Sequence, residues 1–243
     1  MCKLGKIQDY FEKIYIINLP ERQDRRNEMA EQLTKIGLSI NHPIIYLFPA
    51  VRPLSADEFP TIGTKGCFLS HLGVLEDAVA NQYSRILILE DDLNFSDNFN
   101  NMIAKTLEKV SKLDWDILYF SHKLPEPNST EQIVLEIPPD QSLTTTHFLA
   151  FQGATIAKLT GYLELMLNRK SGDSLGGPMH VDGAYSWFRT QYTEYKTYVC
   201  LPVLGYQRAS RTDIHQLSWL DSTPLVKKLS LAYVKLKILF TNF

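Results

Sequence analysis

The sequence predicts an α/β protein with a mainly parallel central sheet and helices on both faces. Three observations predict it. Short apolar, β-branched runs alternate with segments whose apolar residues recur at helical spacing. One such run, Ile86 to Leu89, ends in three consecutive acids, and strand ends of this kind form the ligand-binding edge of open α/β sheets. With 243 residues, 44% hydrophobic and 21% charged, the chain can bury one ordinary core, and its composition is not that of a disordered segment.

The run Lys13 to Leu19 reads as a strand covered on both faces. Pro20 follows, suited to the first turn of a charged helix that turns Met29, Leu33 and Ile36 to one side. A second strand is expected from Pro43 to Phe48. Gly63 to Gly66 opens a helix carrying Phe68, Leu72, Leu75 and Val79 on one stripe, and Arg85 to Leu89 is a buried strand ending in Glu90, Asp91 and Asp92. Beyond a polar turn come a helix from Phe99 to Leu113, a strand from Trp115 to Phe120, a strand from His147 to Ile156, and a helix from Leu159 to Leu167. A last helix is expected to start at Asp182. The polar stretches 121–132 and 171–179 read as loops that could cover a site.

A formal net charge of −2 gives nucleic acid no electrostatic support as a partner. Cys2, Cys67 and Cys200 are too scattered for a disulfide framework or a zinc motif, which suggests a reducing compartment. No apolar run has the length of a signal peptide or a bilayer span, so the body is expected to be cytoplasmic.

The acids at 90–92 read two ways: as ligands of a hard cation such as Mg²⁺ or Mn²⁺ beside a diphosphate, or as caps of the following turn. Asn18, Leu19, Arg22, Arg25 and Arg26, at the end of the first strand, either meet a nucleotide or form a solvated helix face. Asp182, after His180 and a Gly-rich loop, suits a general base or an N-cap. The polar stretch with Gln207, Ser210, Arg211, Asp213 and His215 would close the site, with Asp213 or His215 as a further metal ligand, or form a turn. Cys67 and His71, four apart on one helix, have the spacing of a thiol and its base, but a packed thiol and a core-edge histidine fit that helix better. Residues 225–240 place Leu225, Leu229, Ala232, Leu236 and Phe240 on one helical face with four lysines elsewhere. That pattern suits either an interfacial membrane helix or a terminal helix packed on the domain.

On these residues the chain resembles glycosyltransferase family 25. The blocks are Ile14 to Leu19 with Arg25-Arg26, Gly66-Cys67-Phe68-Leu69-Ser70-His71-Leu72, and Ile88-Leu89-Glu90-Asp91-Asp92, with weaker likeness through Val181-Asp182 and 207–214. The resemblance implies a GT-A-like nucleotide-diphosphosugar transferase fold over residues 1–221, with 222–243 as an appended basic amphipathic helix. It implies inverting transfer of a hexose, usually galactose from UDP-galactose, to a saccharide acceptor of a surface glycan, and an interfacial helix at 225–240 would bring the enzyme to a lipid-linked acceptor at the inner face of the cytoplasmic membrane. It places Glu90 and Asp92 on the cation, where His215 from the closing segment could add a ligand, and Asp91, Ser70 and His71 with the Asn18 to Arg26 group at the donor. Asp182 becomes the base, while His180, Gln207, Ser210, Arg211 and Asp213 lie toward the acceptor. The chain departs from the family's acidic motif in having Glu at position 90. Two rival functions are a catalytically silent binding module of the same fold and a sugar-nucleotide hydrolase.

Overall fold

The computed structural model describes residues 5–125 and 132–208. A short 3-10 turn leads into β1 (Lys13–Asn18), α1 (Gln23–Lys35), β2 (Ile45–Pro49), α2 (Ile62–Ala80) and β3 (Arg85–Glu90). There follow β4 (Leu93–Phe95), α3 (Phe99–Val110), β5 (Ile117–Tyr119), β6 (Val134–Ile137), β7 (Phe148–Gln152), α4 (Ala154–Leu167), α5 (Val181–Gln191), β8 (Thr197–Cys200) and β9 (Gly205–Gln207).

Seven strands form one sheet in the order β2-β1-β3-β7-β5-β8-β6. β1, β2, β3, β5 and β8 share a direction, while β7 and β6 run against them. The expected α/β class and its mainly parallel sheet are therefore present. Helices cover both faces because alternate strand residues point to opposite sides. Ile86 and Ile88 pack with Phe68, Leu72, Leu75, Leu159, Leu163, Ala184 and Phe188 from α2, α4 and α5. Leu87 and Leu89 pack with Met29, Leu33, Ile103 and Leu107 from α1 and α3 on the other face.

Several boundaries differ from the sequence reading. Pro20 sits in a turn ahead of α1, whose N-cap is Arg22. Thr61 caps α2, its hydroxyl accepting the Thr64 N–H at 3.0 Å, so the helix starts before the glycines. Val79 is exposed, and Ala78 takes the buried place at the end of that stripe. α3 stops at Val110, and the strand expected at Trp115 to Phe120 shortens to three residues. The strand expected to reach Ile156 ends at Gln152, because Gly153 adopts φ +66 and turns the chain directly into α4. Asp182 lies inside the first turn of α5, with His180 as N-cap, so the reading of Asp182 as a cap is wrong. The short strands β4 and β6 have no counterpart in the sequence reading.

β4 and β9 form a separate two-stranded ribbon that returns the chain to the end of β3. At the far side α5 is anchored by a fully buried guanidinium. Arg189 donates to the Thr197 hydroxyl at 2.9 Å and to the Gln141 and Pro138 carbonyls at 2.7 Å each, so each of its three nitrogens meets an oxygen acceptor.

Candidate active site

The three acids leave the end of β3 in different directions. Glu90 continues the Ile86, Ile88 side of the strand and turns toward α2. Its Oε1 accepts from the Thr146 hydroxyl at 2.7 Å and lies 3.4 Å from His71 Nε2. His71 Nδ1 is in turn 3.0 Å from the Tyr185 hydroxyl of α5. Burial by itself raises the Glu90 carboxyl, but the bonds from His71 and Thr146 outweigh it, and the group titrates below its ordinary value.

Asp91 points to the opposite side, toward α1. Its Oδ2 accepts from Asn18 Nδ2 at 2.7 Å and its Oδ1 from Arg25 Nη1 at 2.7 Å, with both side chains buried. The α1 charge run thus provides an internal counter-ion, at Arg25, and the solvated-face reading does not hold for that residue. Both Asp91 oxygens are engaged, so this acid and Asn18 brace the first strand against the third.

Asp92 is 4% exposed. Its Oδ2 accepts from Gln207 Nε2 at 3.1 Å and stands 3.9 Å from Arg25 Nη1, and its backbone carbonyl accepts the Arg208 N–H at 2.7 Å. Oδ1 has no hydrogen-bond partner among the described residues. Burial and the negative charge of Glu90 push this carboxyl up to about 7. Two acids close enough to disturb one another, one with an oxygen buried and unanswered, have the donor chemistry of a hard divalent cation site.

The other sequence candidates fall into groups. Arg22 pairs with Asp24 at 2.8 Å, and Arg26 bonds Gln23 and the Pro20 carbonyl, so both face the local turn; Leu19 is half-buried beside them. Ser70 donates to the Gly66 carbonyl and accepts the Val51 N–H at 2.8 Å, which pins the 50s segment to α2. Gly66 is required there, since a Cβ would lie 2.7 Å from the Val51 carbonyl oxygen. Asp182 accepts the Gly183 N–H at 2.8 Å, and its charge reaches Cys67 and Tyr119, on the same face as Glu90. His180 is exposed at the start of α5. Burial, then the charges of Glu90, Asp182 and Asp92, push the Cys67 thiol up, which opposes a thiolate nucleophile. Ser210, Arg211, Asp213, His215 and the helix expected at 222–243 lie outside the described residues. No described helix is long and apolar enough to cross a membrane.

Sequence reasoning missed Thr146, His147, Tyr185 and Arg208. Thr146 and His147 precede β7, whose antiparallel register sets Phe148 opposite Leu89 and so brings His147 beside Glu90. No local pattern encodes a pairing between segments so far apart in the chain. The Glu90 N–H donates to the His147 carbonyl at 3.1 Å. The His147 ring, 3% exposed, has neither nitrogen bonded among the described residues.

The model of a family described as "Glycosyltransferase family 25 (LPS biosynthesis protein)" matches residues 11–163, which spans β1 through most of α4 and contains the three acids. A "Glycosyltransferase 25 family member" of Aedes aegypti is 28% identical over 197 residues, covering 66% of this chain and 32% of that protein. "Inactive glycosyltransferase 25 family member 3" of Mus musculus is 30% identical, over 55% of this chain and 25% of its own length. "Procollagen galactosyltransferase 2" of Mus musculus is 29% identical, over 51% of this chain and 23% of its own length. The matched part of the chain spans a third or less of each of these relatives. With the model covering well over half of the chain, and the acidic strand end within it, the chain belongs to glycosyltransferase family 25.

Proposed function

We propose that the chain is an active, inverting, metal-dependent hexosyltransferase that moves galactose from UDP-galactose to a saccharide acceptor. The observation that carries this reading is the buried, unpartnered Oδ1 of Asp92 beside Glu90, an arrangement stabilised by an added cation. Glu90 and Asp92 would hold Mn²⁺ or Mg²⁺, and Asp91 would serve as the brace that fixes both. His215, expected as a third ligand, lies outside the described residues. When bound, the ion neutralises the charge of a departing diphosphate.

The protein's own groups divide the remaining work. Asp182, partly buried on the Glu90 side of the sheet, takes the proton of an acceptor hydroxyl; that oxygen attacks the anomeric carbon as the sugar–diphosphate bond breaks. Arg25 and Asn18 hold the acidic strand end rigid, and Gln207 and Arg208 keep the β9 ribbon against Asp92. Galactose as the transferred sugar is supported by the name of the procollagen galactosyltransferase relative, and a surface glycan acceptor by the family description. Location at the inner face of the cytoplasmic membrane, through the basic amphipathic segment expected at 222–243, belongs to the same proposal.

The relatives named inactive favour one rival, a silent module that binds without turnover. Incubation with a panel of sugar nucleotides and saccharide acceptors, with Mn²⁺ or a chelator, separates the readings. Mn²⁺-dependent consumption of UDP-galactose with a galactosylated product supports transfer. Consumption without such a product indicates hydrolysis, and saturable binding without consumption indicates the silent module.

A further inference from the structure

A second ligand set lies on the α2 side of Glu90. Cys67 and His71 are one turn apart on α2, so their side chains rise on the same face of the helix. Cys67 Sγ, a ring nitrogen of His71 and a carboxylate oxygen of Glu90 all lie within 4.8 Å of one another. Thiol, imidazole and carboxylate together are the donor types of a borderline-soft ion, unlike the all-oxygen pair of Glu90 and Asp92.

Two further features point the same way. The groups behind the ligands are already in place: the Tyr185 hydroxyl meets His71 Nδ1 and leaves Nε2 facing Glu90, while Thr146 holds Glu90 Oε1. A ligating histidine is normally oriented through its other nitrogen in this manner. His147 stands across the strand from Glu90 with its buried ring unpartnered among the described residues, an uncommitted imidazole at the edge of the cluster.

We propose that Cys67, His71 and Glu90 form a zinc-binding site, with a fourth position open to water or to His147. Occupancy releases the thiol proton to solvent and settles His71 in the tautomer whose Nδ1–H donates to Tyr185. It also draws Glu90 away from Asp92, so zinc opposes the hard-cation site and acts as an inhibitor of the proposed reaction. The site itself rests only on the three converging ligands; its inhibitory effect rests on the proposed transferase reading.

Cobalt(II) serves as the spectroscopic probe. Added to the full-length protein, it is expected to give a thiolate-to-cobalt charge-transfer band and the visible bands of tetrahedral cobalt, all bleached by equimolar Zn²⁺. Cys67→Ser should remove the charge-transfer band while Cys200→Ser and Cys2→Ser retain it, and Zn²⁺ should protect Cys67 from alkylation in the native protein. His71→Gln, compared at matched melting temperature, should weaken cobalt binding by about tenfold or more. Absence of the charge-transfer band in the folded wild-type protein, or a band that survives Cys67→Ser, overturns the proposal. Either result leaves the transferase reading standing, since that is decided by consumption of UDP-galactose with Mn²⁺.

Discussion

Arg25 Nη1 meets Asp91 Oδ1 at 2.7 Å, in a pair whose two side chains are both about nine-tenths buried. The contact joins the first helix to the end of the third strand, and with Asn18 it satisfies both oxygens of the middle acid. Removing one partner of such a buried pair costs roughly 3–5 kcal/mol. Asp91→Ala is therefore expected to lower the melting temperature by on the order of 10 °C. Thermal and urea unfolding of the variant check this.

Asp92 should behave in the opposite sense. Its carboxylate is buried, repelled by Glu90 and incompletely bonded among the described residues, so in metal-free buffer Asp92→Asn is expected to gain about 1–3 kcal/mol. Parallel melts in chelator should show the Asp92→Asn variant unfolding several degrees above wild type, with Asp91→Ala below it. A destabilised Asp92→Asn would mean that the acid is a structural cap.

Asp182 is expected to act on the acceptor and to leave donor affinity untouched. Asp182→Asn keeps the size and the hydrogen bond from Gly183 while removing the base, and should reduce kcat by roughly 10²–10⁴-fold with little change in the dissociation constant for UDP-galactose. Steady-state rates together with donor titration measure both quantities. Weakened donor binding with kcat intact would move Asp182 out of the proton-transfer role.

Behind the acids, Phe148 stacks on Phe120 with ring centroids 4.7 Å apart and meets Phe95 edge-on at 5.6 Å. It is fully buried next to Leu89, so Phe148→Ala should cost about 3–5 kcal/mol through the cavity it leaves. Chemical denaturation measures this, and a loss under about 1 kcal/mol would show that the aromatic layer does not support the strand end.

The sequence carried the parts of this molecule that depend on near neighbours. The apolar run of β3 and the acids that end it, the 3.6-residue stripe of α2, and the first strand with its charged helix are all local patterns. The antiparallel entry of β7 between β3 and β5 is not local, and with it went Thr146 and His147. Short strands such as β4 and β9 hold three residues each, too few for alternation to register. The division of labour within the triplet was also hidden: three adjacent carboxylates look alike in a sequence, and only the positions of Arg25, Asn18, Thr146 and Gln207 tell the brace from the others.

Glu90 and Asp92 are proposed to seat a hard cation for the donor diphosphate, and everything else in the reaction depends on that seat. Calorimetric titration of UDP-galactose into the wild-type protein, with Mn²⁺ and with chelator, tests it most directly when Asp92→Asn is run alongside. The expected result is saturable binding that requires Mn²⁺ in wild type and is lost in the folded Asp92→Asn variant. Equal donor affinity with and without the ion, or an Asp92→Asn variant that keeps Mn²⁺-dependent binding, would contradict it.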